Sequence, residues 1–218
     1  GSGFEKKIEN FGDQIGAASL FLHRGTRANG EISTVGVAVD FPFASGGPNS
    51  SYDGAIPDYL PYWDDLKIIA ITHDHFDHVD GVPYYARKGL LKEKTIVCEK
   101  RVKYFLKHKM DNLNVPADLR PKIVSLEEEG AMPVLDEKGD VRMWLQYNPN
   151  ATDHSALCTP YIVTGCYGDK HYNGSVLVYG DGRGFREEEL SFFSEGTRRL
   201  PEFAARQGYT VTPRKVDR

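Results

Sequence analysis

Long apolar runs are missing from this 218-residue chain. No stretch approaches the eighteen or so residues that a bilayer-spanning helix needs, and no secretory hydrophobic segment opens the sequence, so no membrane segment is expected. Cysteine is scarce: Cys98, Cys158 and Cys166 make an odd count with no CxxC pair. That argues against a disulfide framework and fits a reducing compartment, so the expected location is cytoplasmic. Internal repeats and low-complexity linkers are also absent. Gly1-Ser2-Gly3 reads as a cloning scar, which leaves 4–218 as one expected domain, large enough to bury a core of its own.

Charge is present but unevenly placed. The chain carries −4 in all, yet from Arg87 to Lys109 nine Lys/Arg face two Glu, which makes this stretch +7 and the remainder −11. A basic stripe on an acidic chain is either a solvated helix face or a surface for anions and nucleic acid. Apolar patterning predicts a hairpin of strands over 15–23 and 32–40, a Gly/Ser/Pro-rich loop over 44–55, and a buried strand from Leu66 to Ile71. Helices are expected over 82–91, 99–113 and 186–207, with strands over 95–98, 122–126, 141–147, 161–166, 175–179 and 209–212. On the second helix Val102, Phe105, Leu106 and Leu113 recur at helical spacing, while Arg101, Lys103, Lys107 and His108 fall largely elsewhere. Strands with interleaved helices indicate an α/β class, sheets covered by helices.

Directly after the buried strand comes His73-Asp74-His75-Phe76-Asp77-His78. Three imidazoles and two carboxylates in six residues are costly to place there without a partner. A tight loop at a strand end turns alternate side chains inward, so His73 and His75 can share one metal while Asp77 and His78 face a second. Imidazole nitrogen and carboxylate oxygen are the donors that Zn²⁺ accepts in catalytic sites. His23, His108 and His171 have no such context and read as structural or surface residues. Cys158 reads as a small buried thiol.

The His-x-His-x-Asp-His pattern behind a strand resembles the signature of the metallo-β-lactamase superfamily. The resemblance implies an αββα sandwich with metal ligands on loops along one edge. It also implies two later ligands, which His154 in Thr152-Asp153-His154-Ser155 and Asp181 in Tyr179-Gly180-Asp181 match, and a structural acid, which Asp40 matches. The wider set of Ile15-Gly16, Asp40-Phe41-Pro42, Ile56-Pro57-Asp58, Ile68 to His73, His78 to Tyr85, His154-Ser155 and Gly180-Asp181 is similar to ribonuclease J. That likeness covers about residues 15–183 and implies hydrolysis of RNA phosphodiesters at a two-zinc centre. His73, His75 and His154 would hold the first ion and Asp77, His78 and Asp181 the second. Asp77 would orient the attacking water. Lys100, Arg101, Lys103 and Lys107 would contact RNA, the expected partner.

The pattern is incomplete in one respect. The superfamily supplies a last His after the bridging Asp, and its nuclease branch inserts a further domain, β-CASP, at that point. The 37 residues after Asp181 contain no histidine. The expectation is therefore a sandwich truncated before its last ligand, with a weaker second site. Two other readings stay open: a small-molecule hydrolase of the same superfamily acting on a thioester, lactone or β-lactam, and a non-catalytic fragment.

Overall fold

The computed structural model describes residues 3–9, 18–26, 29–42, 62–147, 159–167, 171–178 and 187–213. Strands β1 (Gly3–Glu9), β2 (Ala18–Thr26), β3 (Ile32–Val39), β4 (Leu66–Ala70), β5 (Thr95–Val97) and β6 (Lys122–Val124) form a six-stranded sheet in sequence order. β1, β2 and β3 pair antiparallel, and β3 through β6 run parallel. A five-stranded sheet has the order β11-β10-β9-β8-β7, from β7 (Ala131–Leu135), β8 (Val141–Tyr147), β9 (Tyr161–Tyr167), β10 (His171–Val178) and β11 (Thr212–Pro213). The helices are α1 (Phe76–Val79), α2 (Gly81–Arg87), α3 (Lys100–Asn112) and α4 (Glu187–Arg206).

The period-two alternation of each strand feeds two different cores. On β4, Ile69 packs outward under α2 and α3, while Ile68 and Ala70 pack inward between the sheets; a register shift against β3 after Leu66 lets that residue join the outer core too. On β8, Met143 and Leu145 join the inter-sheet core and Trp144 turns to α4. Three apolar layers therefore separate four layers of structure, helix on sheet on sheet on helix. α3 docks through Val102, Leu106 and Met110, all buried. Each such burial is worth about 1.5–3 kcal/mol.

Several expectations shift. β1 is additional and begins at Gly3, inside the tripeptide set aside as a scar, and β7 is additional too. β7 escaped detection because Pro133 lies inside it and a Glu run precedes it. The first helix after the histidine cluster begins at Phe76 instead of Val82, so Asp77 and His78 lie on a helical turn and not in a loop. The last strand lies at Thr212–Pro213 instead of 209–212. The loop expected over 44–55 falls outside the described residues.

Candidate metal centre

Strand β4 lies between parallel neighbours, so its backbone is committed on both sides and its direction is fixed. Its continuation is pinned as well: Ile71 N–H donates to Val97 O at 2.8 Å. Beside it, Asp40 follows directly on β3, and its N–H donates to Ala70 O at 2.7 Å. Asp40 adopts φ +67°, a left-handed conformation that Asp tolerates better than most residues. That turn aims a buried carboxylate at the histidine cluster. Oδ1 accepts from Thr72 N–H at 2.8 Å, both oxygens lie 2.9 Å from Thr72 Oγ1, and Oδ2 lies 2.7 Å from His78 Nδ1.

These contacts fix protons. A carboxylate only accepts, so His78 carries its hydrogen on Nδ1 and Thr72 Oγ1–H points at Asp40. Thr72 Oγ1 is also 2.8 Å from His73 Nδ1. With the hydroxyl hydrogen already used, His73 Nδ1–H must donate to it. One carboxylate therefore orients both imidazoles, directly and through a hydroxyl, so that each would meet a metal through Nε2.

His73 is fully buried, with its ring 4.6 Å from that of His75 and 4.2 Å from that of His78, centroid to centroid. His75 is exposed and occupies the position before α1, where its C=O accepts from His78 N–H at 2.9 Å. Asp77 follows on the first turn. Its Oδ2 lies 3.6 Å from His78 Nε2. Two donors each about 2.1 Å from one ion at a near-tetrahedral angle are about 3.4 Å apart, so this pair is spaced to share one. Asp80, at the α1–α2 junction, has its carboxyl raised by burial; Lys109 opposes the rise and Asp77 adds to it. Phe76 presents its ring to solvent between His75 and Asp77, 62% exposed.

His154 and Asp181 lie outside the described residues, as does Cys158. The described stems on either side of them converge on the same edge. Tyr147 and Tyr161 pair at the end of β8 and β9, and Val178 of β10 pairs with Tyr161. Thr159 N–H donates to Thr72 O at 2.7 Å, and Tyr161 Oη–H donates to Ile71 O at 2.9 Å. Burial raises the Tyr161 phenol well above its usual value, so it remains a donor. Each expected metal position thus has two ligands among the described residues, and among those residues no three His, Cys, Asp or Glu side chains form a ready cage.

Five of the nine cations of the basic stripe lie on α3, which begins at the C-terminal end of β5. Ala70 and Val97 are in register on the parallel strands, so the histidine cluster and the start of α3 share one sheet edge. Lys100, Arg101 and Lys107 are exposed and Lys103 is half-buried. Arg101 is committed locally: its Nε donates to Glu99 Oε1 at 3.2 Å. Of the histidines set apart, His23 is buried and structural, His108 is exposed on α3 and bonds Asn112, and the backbone of His171 is on β10.

Two residues of this arrangement, Thr72 and Tyr161, were not singled out in the sequence. Thr72 looked like a strand terminus, although its position immediately before a buried histidine could have flagged its hydroxyl. Tyr161 read only as the start of an apolar strand.

No family model matches the sequence, and no curated protein matches it. Solved structures do. The long form of RNase Z from yeast aligns over 84% of this chain and 30% of its own, at 15% identity and a TM-score of 0.56. The metallo-β-lactamase fold protein YhfI from Bacillus subtilis aligns over 86% of this chain and 67% of its own, at 14% identity and a TM-score of 0.49. The chain spans less than a third of the yeast chain's length.

Proposed function

We propose that this chain, which has the metallo-β-lactamase fold, is a metal-dependent hydrolase and that its substrate is an RNA phosphodiester, as in ribonuclease J-like nucleases. The observation that carries the first half is the Asp40 carboxylate, which holds His78 by Nδ1 directly and His73 by Nδ1 through Thr72, so that both would ligate through Nε2. Neutral, oriented imidazoles backed by a carboxylate are how proteins prepare histidines for a transition metal.

His73, His75 and His154 would hold the first zinc, and Asp77, His78 and Asp181 the second. Zinc when bound lowers the pKa of water towards neutrality and polarises a phosphoryl oxygen. Asp77, partly exposed, accepts a hydrogen bond from the incoming water and so aims it. Asp40 and Thr72 hold the imidazoles rigid, which keeps the ligand geometry constant through the reaction. Phe76 offers an apolar face beside the reacting atoms. The RNA half of the reading is supported by the sequence blocks shared with ribonuclease J, by the basic helix on the same sheet edge, and by RNase Z, itself a ribonuclease by name, among the structures of like fold.

Elemental analysis of purified protein should find zinc at about one ion or more per chain. His73→Ala should remove most of it, and titration should show two unequal steps. Metal content unchanged in His73→Ala would refute the centre. Rapid hydrolysis of a lactone or thioester with no action on single-stranded RNA would transfer the substrate assignment to small molecules.

A further inference from the structure

Lys100, Lys103, Tyr104 and Lys107 follow the i, i+3, i+4, i+7 spacing that puts side chains on one helix face. They form one wall of a cleft of about 280 Å³, whose other wall is Ser125 with Glu127, Glu128 and Glu129. Tyr104 is 61% exposed, a large ring left in water in the middle of three ammonium groups. Among the described residues, the side chains of those three lysines and of Tyr104 make no hydrogen bond or ion pair. Glu127 is spent: Oε1 accepts from Lys100 N–H at 2.8 Å and Oε2 from Ser125 Oγ–H at 3.0 Å. Glu128 and Glu129 remain exposed on the far wall.

A uniformly basic groove would suit any polyanion. This one offers cations on one side, an aromatic face in the middle and carboxylates opposite, which is the complement of a nucleotide whose base carries an amino group. We propose that the α3 cleft is a nucleotide subsite for single-stranded RNA. A phosphate sits against Lys100, Lys103 and Lys107, the base stacks on Tyr104, and its exocyclic N–H₂ donates to Glu128 or Glu129. The assignment rests on the RNA reading above and adds a base preference to it. Stacking on one aromatic side chain is tolerant of base identity, whereas a carboxylate accepts from cytosine N4 and has nothing to accept from at uracil O4. Arg101, held by Glu99, takes no part.

The test is fluorescence anisotropy with octamers of cytidine and of uridine, at several salt concentrations. Cytidine octamers should bind about fivefold or more tighter than uridine octamers. Tyr104→Ala should weaken both by roughly tenfold, the loss of one stacked base, and Tyr104→Phe should restore binding. Lys103→Ala with Lys107→Ala should flatten the salt dependence by about 0.7 in slope per lysine. Glu128→Ala with Glu129→Ala should erase the cytidine preference without weakening uridine binding. These positions are on the surface, so unchanged melting temperatures will exclude misfolding. Equal binding of the two octamers, or no effect of Tyr104→Ala, overturns the subsite. A protein that holds zinc through His73 yet fails these tests loses the subsite alone. One that passes them without holding metal loses the hydrolase reading alone.

Discussion

At the scale of single residues, Asp40 organises the centre without being placed to touch substrate. Its positive φ would strain most side chains, and its two oxygens collect a backbone N–H, a hydroxyl and an imidazole. Asn shares the tolerance for left-handed φ and nearly the same shape, so Asp40→Asn isolates the carboxylate chemistry from the backbone. An amide cannot accept from Thr72 and His78 with both of its ends, so one imidazole loses its orientation. Zinc affinity should fall by about 10–100-fold while the far-ultraviolet dichroism stays the same. An affinity that survives the change would reduce Asp40 to a packing role.

At the scale of elements, the centre depends on how closely α2 approaches the end of β3. Gly81 N–H donates to Phe41 O at 2.9 Å, and Phe41 N–H donates to His78 O at 2.7 Å, which locks the helix to the strand end on both sides of Asp80. A Cβ on Gly81 would lie 2.5 Å from Phe41 O and 2.6 Å from Pro42 O, both backbone atoms that no rotamer change can move. Gly81→Ala should therefore push α2 away and take His78 off Asp40. The expected cost is roughly 1–3 kcal/mol of stability together with weaker zinc binding. Calorimetry on the metal-free protein separates the two effects, since a stability loss without any change in zinc affinity would show that the strand end moves with the helix.

At the scale of the whole molecule, the two sheets are clipped together away from the centre by Arg142 and His23. Arg142, buried on β8, reaches across to β2 and β3: Nε donates to His23 Nδ1 at 2.9 Å, and its terminal nitrogens donate to Ser33 Oγ at 2.9 Å and Ser33 O at 2.8 Å. His23 in turn donates from Nε2 to Cys166 O on β9. An acceptor Nδ1 beside a guanidinium requires a neutral ring. Burial, then the Arg142 charge, hold the His23 pKa below its ordinary 6.5, against the opposing pull of two backbone carbonyls. The folded protein therefore binds fewer protons than the unfolded chain as pH falls through 6.5, so this contribution to stability is intact above that pH and lost below it. Urea midpoints should drop on acidification from pH 8 to 5.5. His23→Gln, neutral throughout, should be less stable at pH 8 but flatter with pH. A wild-type slope unchanged in His23→Gln would locate the acid sensitivity elsewhere.

The sequence by itself determined the α/β class, the buried strand ahead of the cluster and the apolar face of α3, because these are local: periods of 2 and 3.6 and a cluster six residues long. It also marked Asp40, through its place in a motif. Proton positions on His73 and His78, the close approach at Gly81 and the pairing of His23 with Arg142 were decided only by tertiary structure. Their partners lie 32 to 119 residues apart and meet only because β2, β3, β4 and β8 are stacked in one order. The same holds for the α3 cleft. Its lysines were legible as a charged stripe, but the glutamates opposite come from the turn after β6, and only the parallel β5–β6 pairing brings the two walls together.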